Sequence, residues 1–271
     1  MKRYRWTKFF IDTTRNIIRD ANSPVSVKKQ VIDGIHEFIT QHYGGANITD
    51  KFDRWYSLNP PDLCVPVEYH ELMREVEASY IRGDFYPALT SACCLGERIL
   101  NHLTIGLREY HRDSPRYKEI SRKVSIQDWE RAISILRDWD VVNDQQAIDF
   151  TDLLSLRNPA VHFGDIRERS AKAHKALNLI YSVTKSLFGH RIPIFFWAPG
   201  EIYVCYAKEN DPFTKEFIIP HCVRVGYNHE VRSVEAGSIE IHDPGSYPEG
   251  HITDEEFSKR RTGALEQLSK K

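Results

Sequence analysis

The stretch that most constrains the fold is residues 85–110, F-Y-P-A-L-T-S-A-C-C-L-G-E-R-I-L-N-H-L-T-I-G-L-R-E-Y. Leu89, Ala92, Cys93, Ile99, Leu100, Leu103 and Leu107 supply an apolar stripe at the spacing of one buried helix face. Gly83 stops whatever precedes it, and Asp84 stands where an N-cap belongs. Ala88, Ala92 and Gly96 are small enough to let a neighbouring helix approach closely. Cys93 and Cys94 read as small core residues rather than a redox pair. A stripe of this length has to be covered, and the flanking sequence supplies the covers.

Residues 66–82 place Leu72, Val76 and Tyr80 inward. Ser125, with Asp128 three residues on, resembles a capping box and opens a helix with Ile126, Trp129, Ile133 and Leu136 inward. Ala147, Phe150, Leu153 and Leu154 mark another, and residues 167–188 a last one on Ala173, Leu177, Ile180, Val183 and Leu187. Trp129 and Trp139 read as core. Upstream, Trp6, Phe10, Ile17 and Ile18 suggest a helix over 5–20. After N-S-P, the residues Val27, Val31, Ile35, Phe38 and Ile39 suggest a second helix, ended by Gly44 and Gly45. Residues 46–66 read as a connector.

Beyond Gly189 the texture changes to β-branched and aromatic runs, I-P-I-F-F-W and E-I-Y-V-C-Y-A, with turn signals between them. The expected class is mainly α: a helical bundle with extra N-terminal helices and a small antiparallel β segment near the C-terminus. The expected division is 1–65 as a helical extension, 66–189 as the bundle, 190–232 as a β-rich appendage and 233–271 as a flexible tail.

With 28% charged residues and a formal net charge of -1, the whole molecule is not a polyanion-binding coat. Any such site has to be local. Five cysteines without a C-x-x-C pair suit reduced thiols in a cytoplasmic protein better than a disulfide frame or a structural zinc site. No apolar run approaches membrane-spanning length, so no membrane partner is expected. His242 and His251 lack companions at ligand spacing, and no metal or cofactor is expected.

The chemistry concentrates in L-L-S-L-R-N-P-A-V-H-F-G, residues 153–164. Pro159 lacks an N–H and disfavours the α region at Asn158, so a break there is expected, with the helix restarting at Pro159. Such a break lets Arg157 and His162 face one cleft near a helix start, an arrangement suited to phosphate. The fitting reaction is metal-free cleavage of RNA. His162 takes a proton from a ribose 2′-hydroxyl or gives one to the leaving oxygen. Arg157 holds the scissile phosphate and stabilises its growing charge, and Asn158 positions the imidazole or a phosphate oxygen. No acidic cluster suited to catalytic magnesium accompanies them. One histidine serves poorly as both base and acid, so a symmetric dimer supplying two copies would help. The bland reading has Arg157 and His162 bridging helices, with Asn158 as an N-cap.

R-N-P-A-V-H-F-G in an all-α setting resembles the R-N-x-x-x-H signature of the HEPN superfamily, over about residues 66–189. The resemblance implies a dimeric bundle with two such motifs in a shared cleft. It also implies a metal-independent endoribonuclease leaving 2′,3′-cyclic phosphate and 5′-hydroxyl ends. The implied setting is antiphage defence or a growth-arresting toxin, with an antitoxin or defence protein as partner. A further polar residue on the preceding core helix is implied as well; Glu97 is the candidate, with Asn101 and His102 as rivals. For RNA tracking the candidates are Arg112, Arg116, Lys118, Arg122 and Lys123, together with the basic residues of 2–29. The latter read first as a solvated helical face and second as a phosphate-tracking surface. Two other classes fit the chain: a non-catalytic dimeric module that binds RNA, a nucleotide or a protein, and an adaptor docking through the β-rich segment.

Overall fold

The computed structural model describes residues 14–61, 69–161, 167–188, 211–218 and 220 with their side chains. It adds the backbone of 2–6, 8–11, 63–64, 67–68, 189, 195–196, 201–204, 222–224, 230–235 and 238–242. Contacts divide the chain into two compact units. One comprises Asp12–Asp62 and Glu68–Leu187; the other comprises Met1–Ile11, Leu63–Val67 and Phe188–Lys271.

The first unit is helical. Its elements are α1 (Thr14–Arg19), α2 (Val25–Tyr43), α3 (Ile48–Ser57), α4 (Val67–Arg82) and α5 (Phe85–Leu107). There follow α6 (Tyr117–Ile120), α7 (Trp129–Asp138), α8 (Asp144–Val161) and α9 (Arg169–Thr184). Helix α5 is the organising element and packs on α7, α8 and α9. Its expected stripe is buried, from Leu89 through Ile99 and Leu103 to Leu107. The covering residues are Phe150 and Leu153 from α8, Ile133 and Leu136 from α7, and Leu177 and Ile180 from α9. Gly96 is the closest approach: a Cβ built there would lie 2.3 Å from Leu153 Cδ2.

Three local expectations give way to the observed structure. Asp128, not Ser125, caps α7, its carboxylate accepting from the Arg131 N–H at 3.0 Å. The connector after Gly45 contains α3, which buries Trp55 with Ile39 and Ile81 in a small core of its own. Most consequentially, α8 does not break at Asn158 but runs through Pro159 to Val161. A proline ring in the last turn forfeits one hydrogen bond. Buried Ala160 and the Tyr86 hydroxyl, which donates to the Ala160 carbonyl at 3.0 Å, hold that turn in place.

Basic side chains seal the helix ends of this unit. Lys51 Nζ donates to the Tyr43 and Gly44 carbonyls that end α2, at 2.7 and 2.8 Å. Arg15 Nε donates to Trp55 O at 2.9 Å, and Arg19 donates to Tyr56 O and Leu58 O at the end of α3. Arg54 Nε donates to Ile81 O at the end of α4, at 2.8 Å. Cations here answer orphan carbonyls and the negative end of each helix dipole. Arg15 also forms a buried ion pair with Glu77, which accepts from the Tyr181 hydroxyl at 2.9 Å, tying α1 to α4 and α9. Arg15 and Arg19 are thus structural rather than a phosphate-tracking face.

The second unit contains two antiparallel sheets. One is ordered β4 (Phe195–Phe196), β5 (Glu201–Val204), β1 (Lys2–Trp6), β6 (Cys222–Arg224). The other is ordered β3 (Leu63–Cys64), β2 (Lys8–Ile11), β8 (Ser238–His242), β7 (Glu230–Glu235). Residues 2–6 and 8–11 are therefore strands where a helix over 5–20 was expected, with Tyr4 opposite Ile202 and Arg224 and Phe9 opposite Ile239. R-Y-R-W alternates cation and aromatic, and that period of two prevails over the helical spacing of Trp6 and Phe10. Strands extend past Ser233 to His242, where a loosely held tail was expected; residues 243–271, His251 among them, lie outside the described residues. A short helix, α10 (Pro212–Phe217), is capped by Asp211 and stacks Phe213 on Phe188 with ring centroids 5.6 Å apart.

Candidate functional site

Arg157 projects from α8 one turn before its end and meets Glu97, in the middle of α5. Its Nε donates to Glu97 Oε2 at 3.1 Å and its Nη2 lies 3.0 Å from the same oxygen. The two side chains are about a quarter exposed, at 22% and 29%. The guanidinium carbon also sits 5.8 Å from the centre of the Trp129 ring. This geometry follows directly from the packing. Gly96 leaves room for the Leu153 side chain of α8, and Arg157 lies one turn beyond Leu153 on the same face. One carboxylate oxygen occupies the Nε–Nη2 edge, leaving the Nη1 edge of the fork for another anion.

Glu97 also lines an open groove of about 740 Å³ along the outer face of α5, together with Cys94, Arg98, Asn101, His102 and Ile105. The rivals for the α5 polar role behave differently. Asn101 is consumed: its amide donates to Ile126 O at 2.9 Å while its oxygen accepts from the Ile126 N–H, clamping the chain ahead of α7. His102 is exposed, and its Nδ1 is hydrogen-bonded to the hydroxyl of Tyr69, a fully buried residue of α4. Sequence reasoning named His102 but not Tyr69. Tyr69 sits beside His70 in an apparently ordinary amphipathic helix, and only the tertiary contact picks it out.

Asn158 is exposed beside Arg157. In a continuous helix the two point about 100° apart, so the structure joins Arg157, not Asn158, to the α5 carboxylate. His162 lies outside the described residues. The neighbouring thiol is inert. Cys93 is fully buried with its Sγ directed at Leu153 O, and burial, reinforced by Cys94, pushes its pKa up to about 12 despite Arg157 nearby. Cys94 is exposed on the groove. His70, on α4, is held neutral, its pKa lowered to about 3 by burial and the Arg74 charge.

Two of the five candidates for an RNA track are paired with carboxylates. Arg112 pairs with Glu109 at 2.6 Å, and Arg116 with Glu119 at 3.0 Å and Asp138 at 2.6 Å. Arg116 also donates to the Ser134 hydroxyl. These pairs raise the guanidinium pKa values and lower those of Glu109 and Glu119. Lys118 and Arg122 remain exposed. Lys123 is half-buried, with its carbonyl taken by Arg108.

Among the described residues, no group of three or more His, Cys, Asp or Glu is placed to hold a metal ion. None of the described helices is long and apolar enough to cross a membrane. Comparison of the chain with models of protein families, with characterised proteins and with solved structures returned no match.

Proposed function

We propose that this chain is a metal-independent endoribonuclease of the HEPN type, working as a homodimer in antiphage defence or growth arrest. The observation that carries the reading is the ion pair between Glu97 and Arg157, 60 residues apart, at the edge of an open groove. An arginine whose plane is fixed by a carboxylate, with part of its fork still available, is organised to receive a phosphate rather than merely to fill space. In this reading Arg157 clamps the scissile phosphate and stabilises the charge that develops on it. His162 takes the proton of the attacking 2′-hydroxyl, Asn158 orients the reacting groups and Glu97 holds the guanidinium. The products are a 2′,3′-cyclic phosphate and a 5′-hydroxyl. Lys118, Arg122 and Lys123 are the remaining candidates for guiding RNA, since Arg112 and Arg116 are committed to carboxylates.

The test is incubation of wild-type, Arg157→Ala and His162→Ala protein with total RNA and tRNA in EDTA, followed by mapping of the new ends. Cyclic-phosphate ends made by wild type alone support the reading. Cleavage that survives both substitutions refutes the assignment. RNA retention that weakens with salt, without cleavage by wild type, points instead to a non-catalytic HEPN-like binding module.

A further inference from the structure

Tyr86, in the first turn of α5, carries aromatic surface that the core does not use. The residue is 42% exposed, yet its hydroxyl is fixed, donating to the Ala160 carbonyl at 3.0 Å. A tyrosine turns about only two side-chain torsions, so a bond at its far end holds the ring in one place. Val161, next to Ala160, is 47% exposed and continues the apolar surface. This surface lies close to Arg157, which precedes Ala160 by three residues, about 4.5 Å along α8. On α5, Tyr86 and Glu97 are eleven residues apart, three turns, and so point within about 20° of each other. Between them that face carries Thr90, whose hydroxyl turns back to the Tyr86 carbonyl at 3.0 Å, and the exposed Cys94. No charged side chain of α5 stands on the face between the tyrosine and the ion pair. A cation for phosphate with a fixed aromatic surface beside it suits a single strand of nucleic acid, the cation following the backbone and the ring stacking on a base.

Resting on the ribonuclease reading above, we infer that Tyr86 stacks on a nucleobase flanking the scissile phosphate and so fixes where the strand lies against Arg157. Every base has a flat face, so the contact positions the strand without reading its sequence. Stacking holds substrate and transition state alike, and Tyr86 therefore acts on KM more than on kcat. The same residue supports the end of α8 through its hydroxyl. That support needs the hydroxyl, whereas stacking needs the ring, and the two roles separate by substitution.

The experiment uses full-length protein and an oligoribonucleotide spanning a mapped cleavage position, with copies in which one flanking nucleotide at a time is abasic. Tyr86→Leu is expected to raise KM about 5- to 100-fold with a much smaller change in kcat. Tyr86→Phe, which keeps the ring and loses the bond to Ala160, is expected to show much the smaller rise. Wild-type protein is expected to lose a similar factor on one abasic copy, and Tyr86→Leu to lose nothing further on that copy. The abasic series on wild type needs neither variant to fold. Tyr86→Phe as impaired as Tyr86→Leu, no loss in Tyr86→Leu, or wild-type indifference to every abasic position overturns the inference while the ribonuclease reading stands. Wild-type protein that cuts no RNA overturns both.

Discussion

Gly96→Ala is the substitution for which the structure makes the sharpest demand. In an exposed helix interior it would stabilise by about 1 kcal/mol, because alanine is the better helix former. Here the new Cβ would lie 2.3 Å from Leu153 Cδ2, 3.1 Å from the far edge of the Trp129 ring and 3.4 Å from Ile180 Cδ1. The three neighbours come from α8, α7 and α9, and Leu153 has no solvent exposure into which to retreat. Overpacking of this kind costs about 1–3 kcal/mol, so net destabilisation of up to about 2 kcal/mol is expected once the helix-propensity gain is set against it. Leu153→Ala alone should cost about 2–5 kcal/mol through the cavity it leaves. The double variant refills part of that cavity, so its loss should fall short of the sum by about 1 kcal/mol or more. Urea unfolding followed by far-UV circular dichroism reads all three values. A stabilised Gly96→Ala protein, or strict additivity in the double variant, would refute the claim that α5 and α8 meet at this residue. The same contact sets the separation of Glu97 and Arg157.

Three further outcomes follow from other parts of the helical unit. The unfolded chain binds a proton at His70 below pH 6.5, whereas the folded chain resists protonation down to about 3. Stability should therefore fall as pH drops through that window, by about 2 kcal/mol at pH 5; a His70→Phe protein with the same acid dependence would contradict this. Arg15→Ala strands the Glu77 carboxylate in a largely buried site and should cost about 3 kcal/mol; an unchanged urea midpoint would show that the pair bears no load. Cys94, exposed, should react with a thiol reagent at pH 8, whereas in a Cys94→Ser protein the peptide bearing Cys93 should stay unmodified until unfolded.

The helical unit was legible in the sequence wherever one face of an element is buried along its whole length. Helices α5, α7, α8 and α9 announce their inward residues through three-to-four spacing, and Gly96 announces a close approach. Glu97 could be named only as one of three polar residues on α5. What selects it is the position of Arg157 after α8 has packed, a distance between residues far apart in sequence. Pro159 misled because the local rule against proline in helices is worth a few kcal/mol. A last turn held by Ala160 and the Tyr86 hydroxyl absorbs that cost. The strand pairing of residues 2–6 and 8–11 was invisible for another reason: their partners lie mostly near residues 201–242, and no local period encodes a partner so distant. Arg116 looked like a free cation because the carboxylate of Asp138 reaches it only through the fold, whereas the partner of Arg112, Glu109, stands three residues away in the sequence.

The carbonyls that end α3 have a further consequence. Trp55, Tyr56 and Leu58 receive arginines of α1, and Ser57 O lies 3.2 Å from His174 Nε2 of α9. Nearby, the Asn59 N–H donates to the Asn178 side chain, also of α9. Lifting the N-terminal helices from the bundle would break the contacts to His174 and Asn178, the Arg15–Glu77 pair and the Arg54 bond to Ile81 O together, so α1–α3 should open with the rest rather than ahead of it. Native-state hydrogen exchange should find amides of α2 and α9 released in one cooperative step. A shortened protein begun after residue 62 would lack the arginines, α3 and the small Trp55 core together. The smallest autonomous version of the helical unit therefore starts near Asp12.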